Sequence, residues 1–410
     1  MSEWQAFGDE LKRRREQQDR SLRSLARAIN YDPGALSRLE SGQRRPPLDL
    51  ARTLDETLSA GGELIRLATG RGAVARDAGN AAADESLEFA RWASADQVDQ
   101  LTIDSLSYEL TRIATSYVHA PLQPLFADLQ TMRDQVWRLL KDRPHPKQAR
   151  ELFFLGGVTV TLLAHATDNM GNPIAAMKQA MAAEKLAEQA DHAGLLAWVA
   201  GTRALIAEWS GHPGRAVEFA QRGAHYAPKG QQQVRLASLE ARSAARLGRA
   251  ADARDAVRRA EMAAEISTGT DDLGEFGGIL TFPPVKARYY AGSTFRLIGD
   301  YDDAERYASD AIATYESGST VERSYGDEAL ARVDVSISRI AKQDLDGAIV
   351  ALRPVLDLPP SQHISQIGDG LRQVDRSLVD NRCAKALQAK ELREEIALFD
   401  TLDDSQGQDG

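Results

Sequence analysis

Apolar residues recur at helical spacing along almost the whole chain. In the N-terminal part the stripes are short, as at Leu22, Leu25 and Ile29, which would share one face of a helix. From about residue 85 to residue 400 the same spacing continues in long amphipathic segments with short breaks. No convincing run alternates apolar and polar residues as a half-buried strand would. The sequence therefore predicts an all-α protein, with short helices first and long helices after them.

Capping residues divide the first 68 residues into five predicted helices. The first spans Phe7 to Gln18, and Ser21 can cap the second. Asp32 can cap the third, with Pro33 at its first position, where a missing N–H has no cost. Gly42 suits the left-handed conformation that ends a helix. The fourth and fifth helices are expected after the prolines at 46–47 and after the glycines at 61–62.

Two segments lack this periodicity. Residues 69–84 are small and glycine-bearing, which predicts a linker between a domain over residues 1–68 and a helical domain over residues 85–400. Residues 401–410 are polar, which predicts a disordered tail. The chain is therefore expected to hold two helical domains of unequal length.

A weak repeat runs through the long helical segment. A glycine is followed by an alanine five positions later and by another small residue seven positions after that. Small residues let two antiparallel helices approach closely, and glycine allows the turn between them. The pattern predicts a solenoid of stacked helix pairs. Its copies start at Gly171, Gly211, Gly248 and Gly299, with a degenerate copy at Gln343.

Charge is distributed unevenly along the 410 residues, whose formal net charge is −10. Between residues 11 and 45 there are ten basic and four acidic residues, a local net charge of +6, so the remainder carries −16. Such an asymmetry is expected when only one end of a protein meets a polyanion. A solvated basic face without a partner is the alternative, and the charge pattern by itself leaves both open.

Several chemistries have no support in the sequence. Cys383 is the only cysteine, which excludes an intramolecular disulfide and a cysteine-based zinc site and fits a reducing, cytoplasmic compartment. No apolar run reaches the length of about 18 residues that a membrane span needs, and the N-terminus lacks the apolar core of a signal peptide. The seven histidines are scattered and form no metal-binding motif. We therefore expect no catalytic site, no metal and no cofactor.

The N-terminal segment carries a recognisable combination of residues. Its parts are Leu25-Ala26, the run Leu36-Ser37-Arg38-Leu39-Glu40, Gly42, Arg45-Pro46 and the leucines that follow. Over residues 7–68 this combination resembles the XRE (Cro/C1-type) repressor domain, and the segments Tyr31–Gly42 and Leu58–Leu64 are similar to its actinobacterial subgroup. The resemblance implies a helix-turn-helix domain that binds DNA.

The resemblance also implies which residues meet DNA. The third helix would enter the major groove, where Arg38 suits guanine O6 and N7, since Pro33 and Gly34 offer no side-chain hydrogen bonds. A phosphate contact or a surface salt bridge is the alternative for Arg38. Glu40 would pair with an arginine of the first helix, and Arg15 is the candidate. The base-facing positions would be Pro33, Gly34 and Arg38, and the phosphate contacts Arg23, Ser24, Ser37, Ser41, Arg44 and Arg45.

The long helix pairs resemble tetratricopeptide repeats with insertions, whose first helices line a concave groove. On these first helices, aromatic and basic residues fall on common faces. An aromatic and basic groove suits an anionic ligand or a peptide carboxylate, while an ordinary solvated helix face is the alternative. The candidate ligand-binding residues are Trp198, Arg235, Arg242, Lys286, Tyr289 and Arg296.

A domain of this kind followed by such repeats is similar in architecture to the RRNPP peptide receptors, which serve quorum sensing. That resemblance implies a peptide or small-molecule effector, although Asn169 and Asn172 are almost the only asparagines of the solenoid that could hold a peptide backbone. A monomer with one base-reading arginine would distinguish poorly between DNA sequences. We therefore expect a homodimer on an inverted-repeat operator in double-stranded DNA. The expected function is ligand-gated transcription regulation. The alternative is an adaptor whose solenoid binds a partner protein.

Overall fold

The computed structural model describes residues 4–68, 71–93, 98–142, 144–266, 271–318 and 323–406. Within these residues it contains twenty α-helices and no β-strand, which confirms the all-α prediction. None of the described helices is both long and apolar enough to cross a membrane. The chain divides into two compact units, Met1–Ala95 and Asp96–Gly410.

The first unit opens with five short helices in the predicted order, packed around one apolar core. Ser21 accepts a hydrogen bond from the N–H of Ser24 at 3.1 Å, so it caps the second helix as expected. Asp32 caps the third by accepting the N–H of Ala35 at 2.7 Å, and Gly42 follows that helix with a φ of +66°. The five helices are α1 (Gln5–Gln17), α2 (Leu22–Ala28), α3 (Pro33–Glu40), α4 (Leu48–Thr57) and α5 (Glu63–Ala68).

A sixth helix, α6 (Arg71–Ala93), lies where the sequence predicted a linker over residues 69–84. Alanine has the highest helix propensity, so an alanine-rich run can form a helix without a buried face. Between residues 79 and 89 most side chains are exposed, and for that reason no apolar periodicity marked this helix. The boundary between the two units falls after α6, at Ala95, and residues 69–70 lie outside the described residues.

The second unit is built of long helices that pack as antiparallel pairs. They are α7 (Gln100–Ser116), α8 (Leu122–Lys141), α9 (Pro146–Asn169), α10 (Pro173–Gln189), α11 (Ala193–Trp209), α12 (Pro213–Tyr226), α13 (Gln231–Arg246), α14 (Ala250–Ile266), α15 (Pro284–Leu297), α16 (Tyr301–Ser317), α17 (Tyr325–Ala341), α18 (Leu345–Leu356), α19 (Ser365–Val379) and α20 (Leu387–Gln406). Helix α9 pairs with α10, and the next four pairs follow in chain order up to α17 with α18. This is a solenoid of helical hairpins.

The predicted repeat marks the turn inside each of these five pairs. The four glycines that start its copies have φ angles between +72° and +81°, a conformation that glycine adopts without a steric penalty. Gln343 starts the degenerate copy, and its φ is also left-handed, at +68°. The alanine five positions after each start is fully buried where the two helices meet: Ala176, Ala216, Ala253, Ala304 and Ala348.

The stack of pairs curves until α19 touches α9. Gln366 donates from Nε2 to Oδ2 of Asp168 at 3.0 Å, and Ser365 donates to the carbonyl of Asp168 at 3.1 Å. Because the first helix of each pair lies on the inner side of this curve, these helices enclose an inner groove.

The connection between α14 and α15 is much longer than the turns inside the pairs. Its described part, residues 271–283, packs on α7 through two short 3-10 helices between residues 274 and 280. Gly278 has a φ of +52°, and a Cβ there would collide with the backbone of Ala114, so this close approach requires glycine. Ile279 from the connection lines the inner groove.

The C-terminal segment is helical further than the sequence indicated. Helix α20 buries Leu392, Ile396 and Phe399 against the preceding helices. Once a helix is anchored in this way, adding further residues has no nucleation cost. Residues 401–406 therefore continue α20, where the sequence predicted a disordered tail over residues 401–410, and residues 407–410 lie outside the described residues.

Candidate nucleic-acid interface and candidate ligand groove

Helix α3 has one buried face and one exposed face. Leu36 and Leu39 are fully buried in the core of the first unit, so the residues between them lie on the outer side. Asp32 caps the helix and Pro33 is its first residue. Both are exposed, as is Gly34. The nine residues predicted to meet DNA are all exposed: Arg23, Ser24, Pro33, Gly34, Ser37, Arg38, Ser41, Arg44 and Arg45.

Helix α1 holds α3 in place from the buried side. A Cβ at Gly8 would collide with the backbone of Glu40, so only glycine allows the two helices to come this close. Arg15 donates to the Glu40 carboxylate through Nε at 2.6 Å and through Nη2 at 3.1 Å. The pair expected between Glu40 and the first helix is therefore present, and it fixes the orientation of α3 on α1.

Arg38 lies along α3 over Gly34. Its Nη1 is 3.8 Å from the position that a Gly34 Cβ would occupy, which is an ordinary van der Waals distance. Arg45 packs over the Trp4 ring, with 5.6 Å between the guanidinium carbon and the ring centre. Within the part of the chain that the structure describes, Arg23, Arg38 and Arg44 form no ion pair. These guanidinium groups are available to phosphates or base edges.

The inner groove of the second unit contains a cavity of about 100 Å³. Arg242, Lys286 and Tyr289, three of the predicted ligand-binding residues, line this cavity, and Arg296 lines its continuation toward α19. The structure thus brings together residues of α13 and α15 that the sequence placed on separate stripes. Uncharged polar side chains complete much of the wall: Tyr117, His165, Asn169, Tyr325 and Gln366.

A buried charge cluster lies at the floor of the groove. Arg242 donates to the Glu208 carboxylate from Nε at 2.7 Å and from Nη2 at 3.0 Å, and Arg246 donates to it at 2.7 Å. The Nη1 of Arg242 donates to the Tyr289 hydroxyl at 3.0 Å. Burial opposes ionisation of Glu208, but the charges of Arg242 and Arg246 outweigh it and lower the pKa of this carboxyl. Glu208 is therefore a carboxylate that holds two guanidinium groups.

Two further ion pairs continue this cluster toward α17 and α19. Lys286 Nζ lies 3.1 Å from Oδ2 of Asp327. Arg296 pairs with Asp334 and also donates to Gln373 of α19 at 3.2 Å. The sequence predicted a basic groove, whereas the charges of this groove are nearly balanced. The reason is that an unpaired cation is costly to bury, so Arg242, Lys286 and Arg296 each have a carboxylate partner.

The two remaining predicted residues, Trp198 and Arg235, pack beside the groove and do not line its cavity. The Arg235 guanidinium lies 4.1 Å from the ring centre of Trp198 and donates to the Trp198 carbonyl at 2.9 Å. Gly201 leaves space for this guanidinium, since a Cβ there would collide with it. Burial lowers the pKa of Arg235 to about 10. This stacked pair forms part of the groove wall.

Two buried groups of α9 were not predicted as site residues. His165 hydrogen-bonds through Nε2 to the Thr202 hydroxyl at 3.0 Å. Burial, and then the charges of two nearby cations, hold the pKa of His165 well below its usual range, so the imidazole is neutral. Burial raises the pKa of Asp168 to about 6, and the hydrogen bond from Gln366 opposes this rise. The groove thus carries one neutral base and one weakly acidic carboxyl.

The missed carboxylates lie on the face of α17 that packs against α15, and the repeat register does not give their positions, because the copies that start at Gly299 and Gln343 are 44 positions apart. Asp327 and Asp334 of α17 follow Lys286 and Ser293 of α15 by 41 positions each. This face of α17 carries acidic residues opposite the predicted cations. Ser293 donates to Asp334, so these two positions of the helices face each other.

The comparison with family models matches only the N-terminal part of the chain. Residues 6–68 match the family model described as "Helix-turn-helix domain". No curated protein matches the chain. The first unit is thus similar to helix-turn-helix domains in sequence and in its five-helix order, and this similarity indicates a DNA-binding domain. The actinobacterial type inferred from Tyr31–Gly42 stays a prediction.

Three solved structures match between 74% and 97% of this chain at low sequence identity. The crystal structure of a tetratricopeptide repeat protein from Parabacteroides merdae is 13% identical, covers 74% of this chain and 94% of its own, and has a TM-score of 0.41. Rap protein complexed with Competence and Sporulation Factor is 13% identical over 97% of this chain and 99% of its own, with a TM-score of 0.47. Bacillus thuringiensis PlcR in complex with the peptide PapR7 and DNA is 12% identical, with the same coverages and a TM-score of 0.32. These values are too low to transfer a partner or ligand.

Proposed function

We propose that this protein is a sequence-specific DNA-binding transcription regulator of the cytoplasm, active as a homodimer, whose repeat unit senses a short peptide or a small anionic molecule. The observation that carries the proposal is the exposed face of α3. There Arg38 and its neighbouring cations have no acidic partner in the described residues, on a domain similar to helix-turn-helix domains.

The first turn of α3 would enter the major groove of DNA. Arg38 would donate two hydrogen bonds to O6 and N7 of one guanine, a geometry that the guanidinium fork matches. Pro33 and Gly34 carry no long side chain, so the helix backbone could come close to the base edges. Ser37, Ser41 and the arginines outside α3 would contact phosphates, which position the domain without reading sequence.

The ligand would enter the inner groove and compete for its ion pairs. A carboxylate of the ligand could take the place of Asp327 at Lys286, and the displaced Asp327 would then have to take up water or a proton. Asn169, Tyr325 and the side-chain amide of Gln366 could bond to amide groups of a peptide. Such a ligand regulates only if it binds one arrangement of the dimer more tightly than another.

The first experiment is selection of sheared genomic DNA on the purified full-length protein. An Arg38→Ala variant tests the base contact, and Arg13→Ala is the matched control, because Arg13 is an exposed arginine of α1 that is already paired with Glu10. We expect the wild type and the Arg13→Ala variant to enrich a common inverted repeat, and the Arg38→Ala variant to lose it. Enrichment of a single half-site would contradict the homodimer.

The selection is then repeated with the peptide-sized fraction of spent culture medium and with a cell lysate. A change in enrichment caused by the small fraction supports ligand sensing in the groove. That change should be lost in a Lys286→Gln variant, whose folding is checked by circular dichroism. If no DNA is enriched over the Arg38→Ala variant under any condition, the DNA-binding proposal fails, and an adaptor role of the solenoid becomes the better description.

A further inference from the structure

A second cavity lies between the third and fourth helix pairs of the repeat series, α13 with α14 and α15 with α16. Its volume is about 230 Å³, more than twice that of the cavity in the inner groove. The wall of this cavity includes six small apolar side chains: Ala241, Val257, Ala260, Ala264, Ala287 and Ala291. An apolar molecule could therefore occupy this space without leaving a buried polar group unpaired.

The long connection between α14 and α15 accounts for the cavity. Residues 271–283 run to α7 before the chain returns to start α15, so α14 and α15 are not drawn together by a short turn. Helix α14 contacts α15 only lightly, whereas α12 packs closely on α13 and α16 on α17. Alanines line the resulting gap, and alanine is too small to fill it. The chain thus leaves a space open at this junction.

The mouth of the cavity carries an unused positive charge. Tyr307 of α16 donates to the Glu261 carboxylate of α14 at 2.6 Å; this hydroxyl is neutral, so the cavity lining also carries the negative charge of Glu261. Arg288 of α15 donates to the Thr314 hydroxyl at 3.2 Å, and no carboxylate among the described residues pairs with it. A guanidinium beside an apolar cavity is suited to a ligand with a carboxylate at one end and an apolar body.

Tyr290 forms a common wall between this cavity and the inner groove. Its ring lines both spaces, and the guanidinium carbon of Arg242 lies 4.1 Å from its ring centre on the groove side. Phe282 and Tyr289 pack against its edges at centre-to-centre distances of 5.4 and 5.1 Å. A molecule in the cavity would thus press on the side chain that supports the buried charge cluster.

We propose that this cavity binds a small carboxylate with an apolar body, such as an arylalkanoate or a branched-chain acid. The apolar body lies among the alanines, and the carboxylate pairs with Arg288. An engineered apolar cavity of roughly 150 Å³ holds benzene, so a substituted ring or a branched chain fits the larger volume here. The site is separate from the proposed peptide or anion groove and does not depend on DNA binding.

The test measures binding of phenylacetate and of 4-methylpentanoate to the full-length protein by isothermal titration calorimetry, with phenylacetamide as the neutral match. We expect at least one of the two acids to bind. Phenylacetate should bind about tenfold or more tightly than phenylacetamide. An Arg288→Gln variant should bind the acid as weakly as the amide, whereas an Arg258→Gln variant, altered at an exposed arginine of α14 paired with Asp255, should bind like the wild type.

A second pair of variants tests the location. Ala260→Leu or Ala264→Leu places a larger side chain in the cavity and should abolish binding of acid and amide alike. Two variants are used because Ala264 is less buried than Ala260, so its substitution endangers folding less. Absence of binding of both acids to the wild type would overturn the proposal. Binding that survives the Arg288→Gln and Ala264→Leu substitutions would also overturn it. Neither result bears on the DNA-binding proposal, which is measured separately.

Discussion

The two units use arginine in opposite ways. In the first unit Arg23, Arg38 and Arg44 are exposed and have no carboxylate partner among the described residues. In the second unit Arg242 is 2% exposed and Arg296 is largely buried, and both are paired with carboxylates. The presence of an arginine therefore does not identify a binding site for a polyanion or ligand. What identifies it is whether the guanidinium already pairs with a carboxylate.

The physical basis of this difference is the cost of desolvation. An exposed guanidinium keeps its hydration and can exchange water for phosphate when DNA arrives. A buried guanidinium has given up its hydration and depends on its carboxylate, so removing that partner is strongly unfavourable. Arg23, Arg38 and Arg44 are therefore available for binding, while Arg242 and Arg296 hold the groove together and can bind a ligand only by exchanging partners.

The largest effect is expected from Glu208→Gln. This change leaves Arg242 buried without a counter-charge and takes the shared carboxylate from Arg246. Breaking a buried pair from one side costs about 3–5 kcal/mol, so we expect the free energy of unfolding to fall by about that amount. Urea unfolding, monitored by circular dichroism, measures this change in the free energy of unfolding.

The matched control for Glu208→Gln is Asp255→Asn. Asp255 pairs with Arg258 and Arg259 on the exposed side of α14, where an ion pair contributes little. We expect a far smaller change in the free energy of unfolding than for Glu208→Gln. Equal effects of the two substitutions would contradict the distinction between structural and available charges.

A second, smaller effect concerns Asp168, a buried carboxyl that accepts a hydrogen bond from the Gln366 amide and pairs with no cation among the described residues. Its pKa of about 6 lies above the ordinary value of 3.8, so the folded state binds the proton more tightly than the unfolded state. Stability from this group is therefore greatest below about pH 4 and is lost as the pH rises through 6. Asp168→Asn should remove this dependence and raise the free energy of unfolding at pH 7 by about 1–3 kcal/mol.

The measurement for Asp168 is urea unfolding of both proteins at intervals between pH 4 and pH 8. The difference between variant and wild type should grow with pH and level off above pH 7. Asparagine can still accept the hydrogen bond from Gln366, so the contact between α9 and α19 is kept. A variant that is less stable at pH 7 would mean that the ionised carboxylate stabilises this contact.

Local signals in the sequence were sufficient for the parts of the fold that depend on neighbouring residues. Ser21, Asp32 and Gly42 delimit their helices through contacts within three or four positions, so the caps could be predicted. The turns of the repeat could be predicted for the same reason. This holds even at Gln343, which adopts the left-handed φ of the turn although it replaces the glycine of the other copies. The packing of such pairs then follows from their buried alanines.

The missed features depend on contacts between distant residues or on helix propensity without burial. Arg242 and Glu208 belong to different helices, and only the stacking of α11 on α13 brings them together, so a stripe of cations suggested a basic groove. Over residues 79–90, the part of helix α6 whose side chains are described, no residue is buried, so no pattern could detect a buried face there. The cavity beside Arg288 follows from the path of residues 271–283, which no local signal encodes.

In the first unit the largest effect is expected from Arg38→Ala. Loss of a bidentate contact to guanine should reduce affinity for the enriched operator by about 1–3 kcal/mol and weaken discrimination at one base pair of each half-site. The thermal midpoint should stay near that of the wild type, because Arg38 is exposed and forms no ion pair in the described part of the unit. Fluorescence anisotropy with operator variants measures both quantities. Uniform weakening across all sequences would reassign Arg38 to a phosphate.

The smallest effect is expected from Arg44→Ala, which removes one phosphate contact. A phosphate contact contributes through release of counterions, so the slope of log affinity against log salt should fall by about one. Operator and unrelated DNA should be weakened alike, since phosphates carry no sequence information. Anisotropy titrations across a range of salt concentrations, with Arg13→Ala as the matched control, give the slope. A loss confined to the operator would place Arg44 at a base edge, and an unchanged slope would leave it outside the interface. Either result would show that exposure and the lack of a partner, which set Arg44 apart from Arg242, do not suffice to identify a phosphate contact.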